Sequence, residues 1–211
     1  VFSSHQPSAK APANAMSEPV NTSRRRTLIA ATAVPGALTG VAAVAPFVAT
    51  LAPSERAKAA GAPVEVDISN LKPGEKKNVE WRGKVVWVMK RTAEQLAALE
   101  KIPASQLQDP KSEKANQPAY VNGATRSISP DLVVMEGVCT HLGCSPTEKA
   151  TPGELGNDWP GGFYCPCHGS KFDFAGRVFT GSPAPRNLDI PPHKIDGTKL
   201  VIGIGQDGKE A

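Results

Sequence analysis

The feature that most limits how this chain can fold is a pair of short segments rich in cysteine and histidine. All four cysteines and two of the four histidines lie between residues 139 and 168. The first segment reads Cys139-Thr140-His141-Leu142-Gly143-Cys144 and the second Cys165-Pro166-Cys167-His168-Gly169-Ser170. Each follows a run with strand character, which puts both on loops at one end of a sheet. A fold that uses them must bring the two loops together. His5 and His193 lie outside the cluster and read as solvated surface residues, since an unclustered histidine needs no special explanation.

Several ligands suit such a set. Four thiolates hold an ordinary iron–sulfur cluster but leave both histidines without a role. Zinc takes cysteine and histidine in fours, with Cys-x2–4-Cys spacing in each half, and Cys-Pro-Cys-His is unusual for it. A purely disulfide framework ignores the histidines. A mixed iron–sulfur site, with thiolates on one iron and imidazoles on the other, uses both residue types.

The amino-terminal third has a different character. Residues 1–27 form a tail of small and polar residues, expected to be disordered, that ends in Ser23-Arg24-Arg25-Arg26. An uncharged stretch follows over 28–52. As a helix it spans roughly 37 Å, enough for a hydrocarbon core of about 30 Å. Pro35 and Pro46 lie inside it, and membrane helices tolerate proline. The stretch is too long for the apolar part of a cleaved signal, so the reading is an uncleaved single-pass anchor. The arginines set the N-terminus in the cytoplasm. They also resemble a twin-arginine export signal, although Thr27 stands where a bulky apolar residue is usual. Residues 53–63 have linker composition and are expected to act as a flexible hinge.

From residue 64 to 211 the pattern becomes that of a mostly β head domain. Strands are expected at 64–68, 78–81, 84–89, 132–138, 163–165, 178–179, 188–190 and 200–204. Arg82-Gly83 reads as a tight turn. Thr92 opens one inserted helix, with Gln95 completing a capping box and Leu96 and Leu99 giving its apolar face. Residues 103–118 read as loop. The net charge of +4 is spread out, with no basic stripe among aromatics, which excludes a nucleic-acid binder.

Taken together, Cys-Thr-His-Leu-Gly-Cys and Cys-Pro-Cys-His-Gly-Ser resemble the Rieske iron–sulfur subunit of bacterial ubiquinol–cytochrome c reductase. The likeness extends to the anchor, the linker, Leu107-Gln108-Asp109-Pro110 and Gly181-Ser182-Pro183-Ala184-Pro185. It implies an antiparallel Rieske-type β domain with a small cluster-binding subdomain, its loops within about 137–186. It implies one 2Fe–2S cluster, with Cys139 and Cys165 on the inner iron, His141 and His168 on the outer, and a disulfide between Cys144 and Cys167. By the same resemblance Ser170 donates to a cluster sulfur, Gly143 is one of the residues surrounding the ligands, and Leu142 is an exposed docking residue beside a ligand. The segment containing Pro183 shields the cluster. Phe172 stands where the family commonly has a tyrosine, so one hydrogen bond is missing and a lower potential is expected.

The function implied is an electron-transfer subunit of a quinol–cytochrome c oxidoreductase. His168 and His141 are the catalytic edge, taking a proton while the cluster takes an electron from quinol. The partners are a cytochrome b subunit, a c-type cytochrome, quinol and membrane lipid. The place is a bacterial inner membrane with the head in the periplasm. The alternative is a membrane-tethered Rieske carrier of another periplasmic oxidoreductase, which differs in the haem proteins that co-purify. A zinc-stapled interaction domain differs in lacking the reduced cluster's paramagnetic signal.

Overall fold

A computed structural model describes residues 20–121 and 123–209. His5 and most of the amino-terminal tail lie outside the described residues. The chain divides after Pro53 into two compact units.

The first unit is helix α1, Thr22–Ala49. It starts six residues before the expected Leu28, because Asn21 caps it: the Asn21 side chain accepts from the Arg24 amide at 3.0 Å. The arginine triplet, expected in the disordered tail, therefore lies on the first turns. Pro35 and Pro46 sit inside the helix. Thr39 Oγ1 donates to the Pro35 carbonyl at 2.9 Å. None of the helix is buried within the chain, and it is long and apolar enough to cross a membrane.

The second unit opens in the linker, where the residues form a short helix, α2 (Glu55–Ala60), rather than plain coil. Ser54 caps it, accepting from Ala57 N at 3.2 Å. The head then builds three antiparallel three-stranded sheets. β1 (Val64–Asp67) pairs with β9 (Lys199–Ile202), which pairs with β8 (His193–Asp196). β2 (Lys76–Trp81), β3 (Lys84–Lys90) and β4 (Leu132–Glu136) form the second sheet. β5 (Thr147–Lys149), β6 (Gly162–Tyr164) and β7 (Lys171–Phe172) form the third. The β2–β3 turn holds Arg82 at φ 51° and Gly83 at φ 71°, the left-handed pair of a tight hairpin.

The middle sheet explains the unbroken apolar runs of β3 and β4. Val86, Val88, Leu132 and Val134 face a core shared with Leu71, Trp81, Leu200 and Ile202. Trp87, Met89, Val133 and Met135 face a second core with Leu99, Phe163, Phe172 and Phe174. With both faces covered, alternation between apolar and polar disappears. Cys139 and Cys165 belong to the second core. Helix α3 (Ala93–Lys101) carries the expected Thr92–Gln95 capping box, and Leu99 is buried on it.

Some expectations change. Residues 178–179 form isolated bridges, Leu107 with Phe179 and Phe172 with Val178, rather than a strand. Residues 188–190 are buried without a ladder; Leu188 N donates to Gly176 O and Ile190 N to Asn116 O. His193 is not on the surface. It is 1% exposed, and its backbone N–H and C=O both bond the Tyr120 hydroxyl at 2.9 Å. Burial lowers its pKa, with the Pro191 carbonyl opposing. The fully buried Arg126 ties the long 103–131 segment to the site's base, donating to Gln117 Oε1, Ala175 O and Leu188 O.

Candidate metal centre

Loop 139–144 follows β4, and loop 165–170 joins β6 to β7. Their backbones share one hydrogen-bond frame. In the first, Cys139 N donates to Cys144 O at 2.7 Å and Gly143 N to Cys139 O at 2.9 Å. In the second, Cys165 N donates to Ser170 O at 2.8 Å and Gly169 N to Cys165 O at 2.9 Å. Gly143 has φ 85° and Gly169 φ 80°, a conformation that a Cβ disfavours. Each loop thus turns back on a cysteine at its base.

These two cysteines are free thiols, each 2% exposed. The other two form the Cys144–Cys167 disulfide, with Cα atoms 6.7 Å apart, joining loop to loop. His141 is half-buried and His168 exposed. Their rings lie edge to face with centroids 4.8 Å apart. The structure therefore brings the four expected ligand residues to one place, the thiols inward and one imidazole outward. The sulfurs of Cys144, Cys165 and Cys167 also lie within 4.8 Å of one another. Two of them are spent on the disulfide, so this trio offers only one thiolate.

The residues fit a metal. Nδ1 of His141 is buried with no hydrogen-bond partner among the described residues, a costly state for a polar atom unless it binds something. Burial pushes the Cys139 thiol above its ordinary range; the His141 amide opposes this, the adjacent Cys165 thiol adds to it, and the Ser170 hydroxyl opposes it again. Two buried thiolates side by side need cationic compensation, which a metal ion would supply.

The supporting residues fall as follows. Ser170 is fully buried, and its Oγ accepts from Ala184 N at 3.1 Å. Phe172 is buried two residues along β7, opposite Phe163 of β6. Leu142 is 71% exposed. Pro183 is exposed, while Ala184 beside it is buried. Sequence reasoning missed Thr140, whose hydroxyl donates to the Arg186 carbonyl at 2.6 Å, and Ser182, which accepts from the Lys171 amide. Both bond backbone groups far along the chain, and a lone hydroxyl residue gives no sequence signal for that.

The family model described as the Rieske [2Fe-2S] domain matches residues 63–192. The chain is 55% identical over 187 residues to the ubiquinol–cytochrome c reductase iron–sulfur subunit of Allochromatium vinosum, covering 87% of this chain and 90% of that protein. It is 41% identical over 193 residues to the same subunit of Blastochloris viridis, covering 90% and 98%. A solved chain of a hyperthermophilic respiratory complex III aligns at TM-score 0.43 with 29% identity, covering 81% of this chain and 96% of that one.

Proposed function

The chain belongs to the Rieske iron–sulfur subunits of ubiquinol–cytochrome c reductase, and from that premise we propose that Cys139 and Cys165 hold one iron of a 2Fe–2S cluster while His141 and His168 hold the other. The observation that carries this is the pairing of two buried free thiols with two adjacent imidazoles, one of which has a buried, unpartnered Nδ1. When bound, such a cluster supplies a one-electron acceptor whose potential lies far above that of an all-cysteine one, because two neutral imidazoles replace two thiolates.

The chain's own residues do the rest. His168, on the exposed edge, would receive the proton of a quinol hydroxyl at an imidazole nitrogen. Leu142 gives that edge an apolar rim suited to docking on a cytochrome b subunit. Ser170 donates its hydroxyl to the sulfur edge and favours the reduced state. The head then delivers the electron to a c-type cytochrome, and residues 53–63 act as the hinge for that movement. The anchor is α1, with its arginines on the cytoplasmic side and the head in the periplasm.

The test is to purify the full chain from its native membrane. A red-brown preparation, a Rieske-type paramagnetic signal on reduction, and co-purifying b- and c-type haems are expected. A colourless, zinc-bearing head overturns the cofactor, and a loaded head without b-type haem overturns the partner. Prolines in place of Ala57–Ala60 should stop turnover and leave the cluster spectrum intact; full activity refutes the hinge.

A further inference from the structure

The peptide group between Ser170 and Lys171 is held at both ends. The Ser170 carbonyl accepts from Cys165 N at 2.8 Å. The Lys171 amide donates to Ser182 Oγ at 3.1 Å. The bond is returned in the opposite sense two residues further on, where Ala184 N donates to Ser170 Oγ at 3.1 Å. Segment 182–184 and residues 170–171 therefore clasp each other through two hydroxyl–amide bonds, each side supplying one hydroxyl and one amide.

The clasp decides what the Ser170 hydroxyl can do. A serine hydroxyl has one proton and two lone pairs. With the Ala184 amide occupying the oxygen as acceptor, the proton is left to be donated, and the neighbouring Cys139 thiol, whose pKa the Ser170 hydroxyl lowers against the effect of burial, is the group it favours. The direction of that donation depends on the backbone torsions at residue 170, which the tethered 170–171 peptide fixes. Ser182 supplies one of the two tethers.

We propose that Ser182 is a positioning residue that acts through Ser170 on the sulfur edge of the centre, holding the Ser170 hydroxyl as a donor and so keeping the cluster potential high. The inference rests on the reading of Ser170 given under Proposed function. Without the Ser182 hydroxyl, the Lys171 amide loses its partner, segment 182–184 loses one tie to β7, and the Ala184–Ser170 bond loosens. The Ser170 proton is then no longer confined to the sulfur.

The experiment is a redox titration, followed by the cluster's paramagnetic and circular-dichroism signals, on the full chain in its native complex. Ser170→Ala, Ser182→Ala, the double variant and Ser182→Thr are compared with the parent. Ser170→Ala is expected to lower the midpoint most, and Ser182→Ala to lower it by a smaller step. The double variant should match Ser170→Ala alone, because Ser182 has nothing left to act through. Ser182→Thr, which keeps the hydroxyl, should restore the parent midpoint. A parent-like midpoint in Ser182→Ala beside a lowered one in Ser170→Ala overturns the proposal, as do two drops that add in the double variant. No drop in Ser170→Ala refutes instead the reading on which it rests. If Ser182→Ala does not load its cluster, Ser182→Gly removes the same hydroxyl and is read against the same outcomes.

Discussion

Loops 139–144 and 165–170 share a backbone frame but are held differently. Loop 139–144 leaves a fully buried strand, β4, and then presents Leu142 to solvent at 71% exposure. One side-chain hydroxyl, that of Thr140, ties it to the distant Arg186 carbonyl. Loop 165–170 sits inside a hairpin, ends on the buried Ser170, and is clasped by Ser182 and Ala184. Identical turns thus serve unequal tasks. The first loop carries the site's exposed apolar residue, and the second ends on a buried serine tied to a distant segment.

The comparison is broken first where the two loops are alike. Cys139→Ala and Cys165→Ala should each abolish the cluster completely, with loss of the visible absorbance and of the reduced-state signal. A variant that keeps either signal removes that cysteine from the ligand set. Next comes the link between the loops. Cys144→Ser opens the disulfide, whose half-cystines are 23 residues apart in sequence. Loop-closure entropy for that separation predicts a loss of about 3 kcal/mol, or roughly 10 °C in the thermal midpoint of a domain this size. The bleaching temperature of the cluster measures it. An unchanged midpoint shows that the loops hold together without the bridge.

How much of this was legible depended on whether the signal was local. The Thr92–Gln95 cap and the β-branched runs of β3 and β4 are local, and they read correctly; the paired Cys/His segments are local too, and the disulfide and the facing imidazoles bring them together. β7 is two residues long and lies between Ser170 and Asp173, too short to show any period. β8 follows Pro191-Pro192, and its His193 is buried by Tyr120, 73 residues away. No local pattern announces such a contact. Residues 188–190 show the converse: their apolar alternation is real, with Leu188 and Ile190 in the second core, but their amides bond the Gly176 and Asn116 carbonyls rather than a ladder. Of the site, the residue types were legible. The supports given by Thr140 and Ser182 were not, because each bonds a main-chain group that has no sequence identity.

A smaller effect sharpens the contrast between the loops. Leu142→Ala removes an exposed apolar side chain and no internal contact of the core, so the cluster spectrum and thermal midpoint should stay as in the parent. Steady-state quinol oxidation should fall about tenfold, the loss of roughly 1.4 kcal/mol at a docking contact. Unchanged turnover assigns Leu142 to ordinary loop structure.

The smallest expected effect lies in the second loop's hairpin. Phe172 follows Ser170 by two residues and is buried in the same core as Cys139 and Cys165, so a hydroxyl added at Phe172 enters the core that holds both thiols. Phe172→Tyr adds one donor there. A net hydrogen bond of about 1 kcal/mol favouring the reduced state corresponds to a rise of roughly 40 mV for one electron. The site is fully buried against Phe163, so an unsatisfied hydroxyl there would destabilise the head instead. The two readouts therefore separate the cases. A higher midpoint with an unchanged bleaching temperature means that the hydroxyl has found the sulfur edge. A lower bleaching temperature with no rise in midpoint means that Phe172 is a packing residue, and that the second loop's influence on the sulfur runs through Ser170 alone.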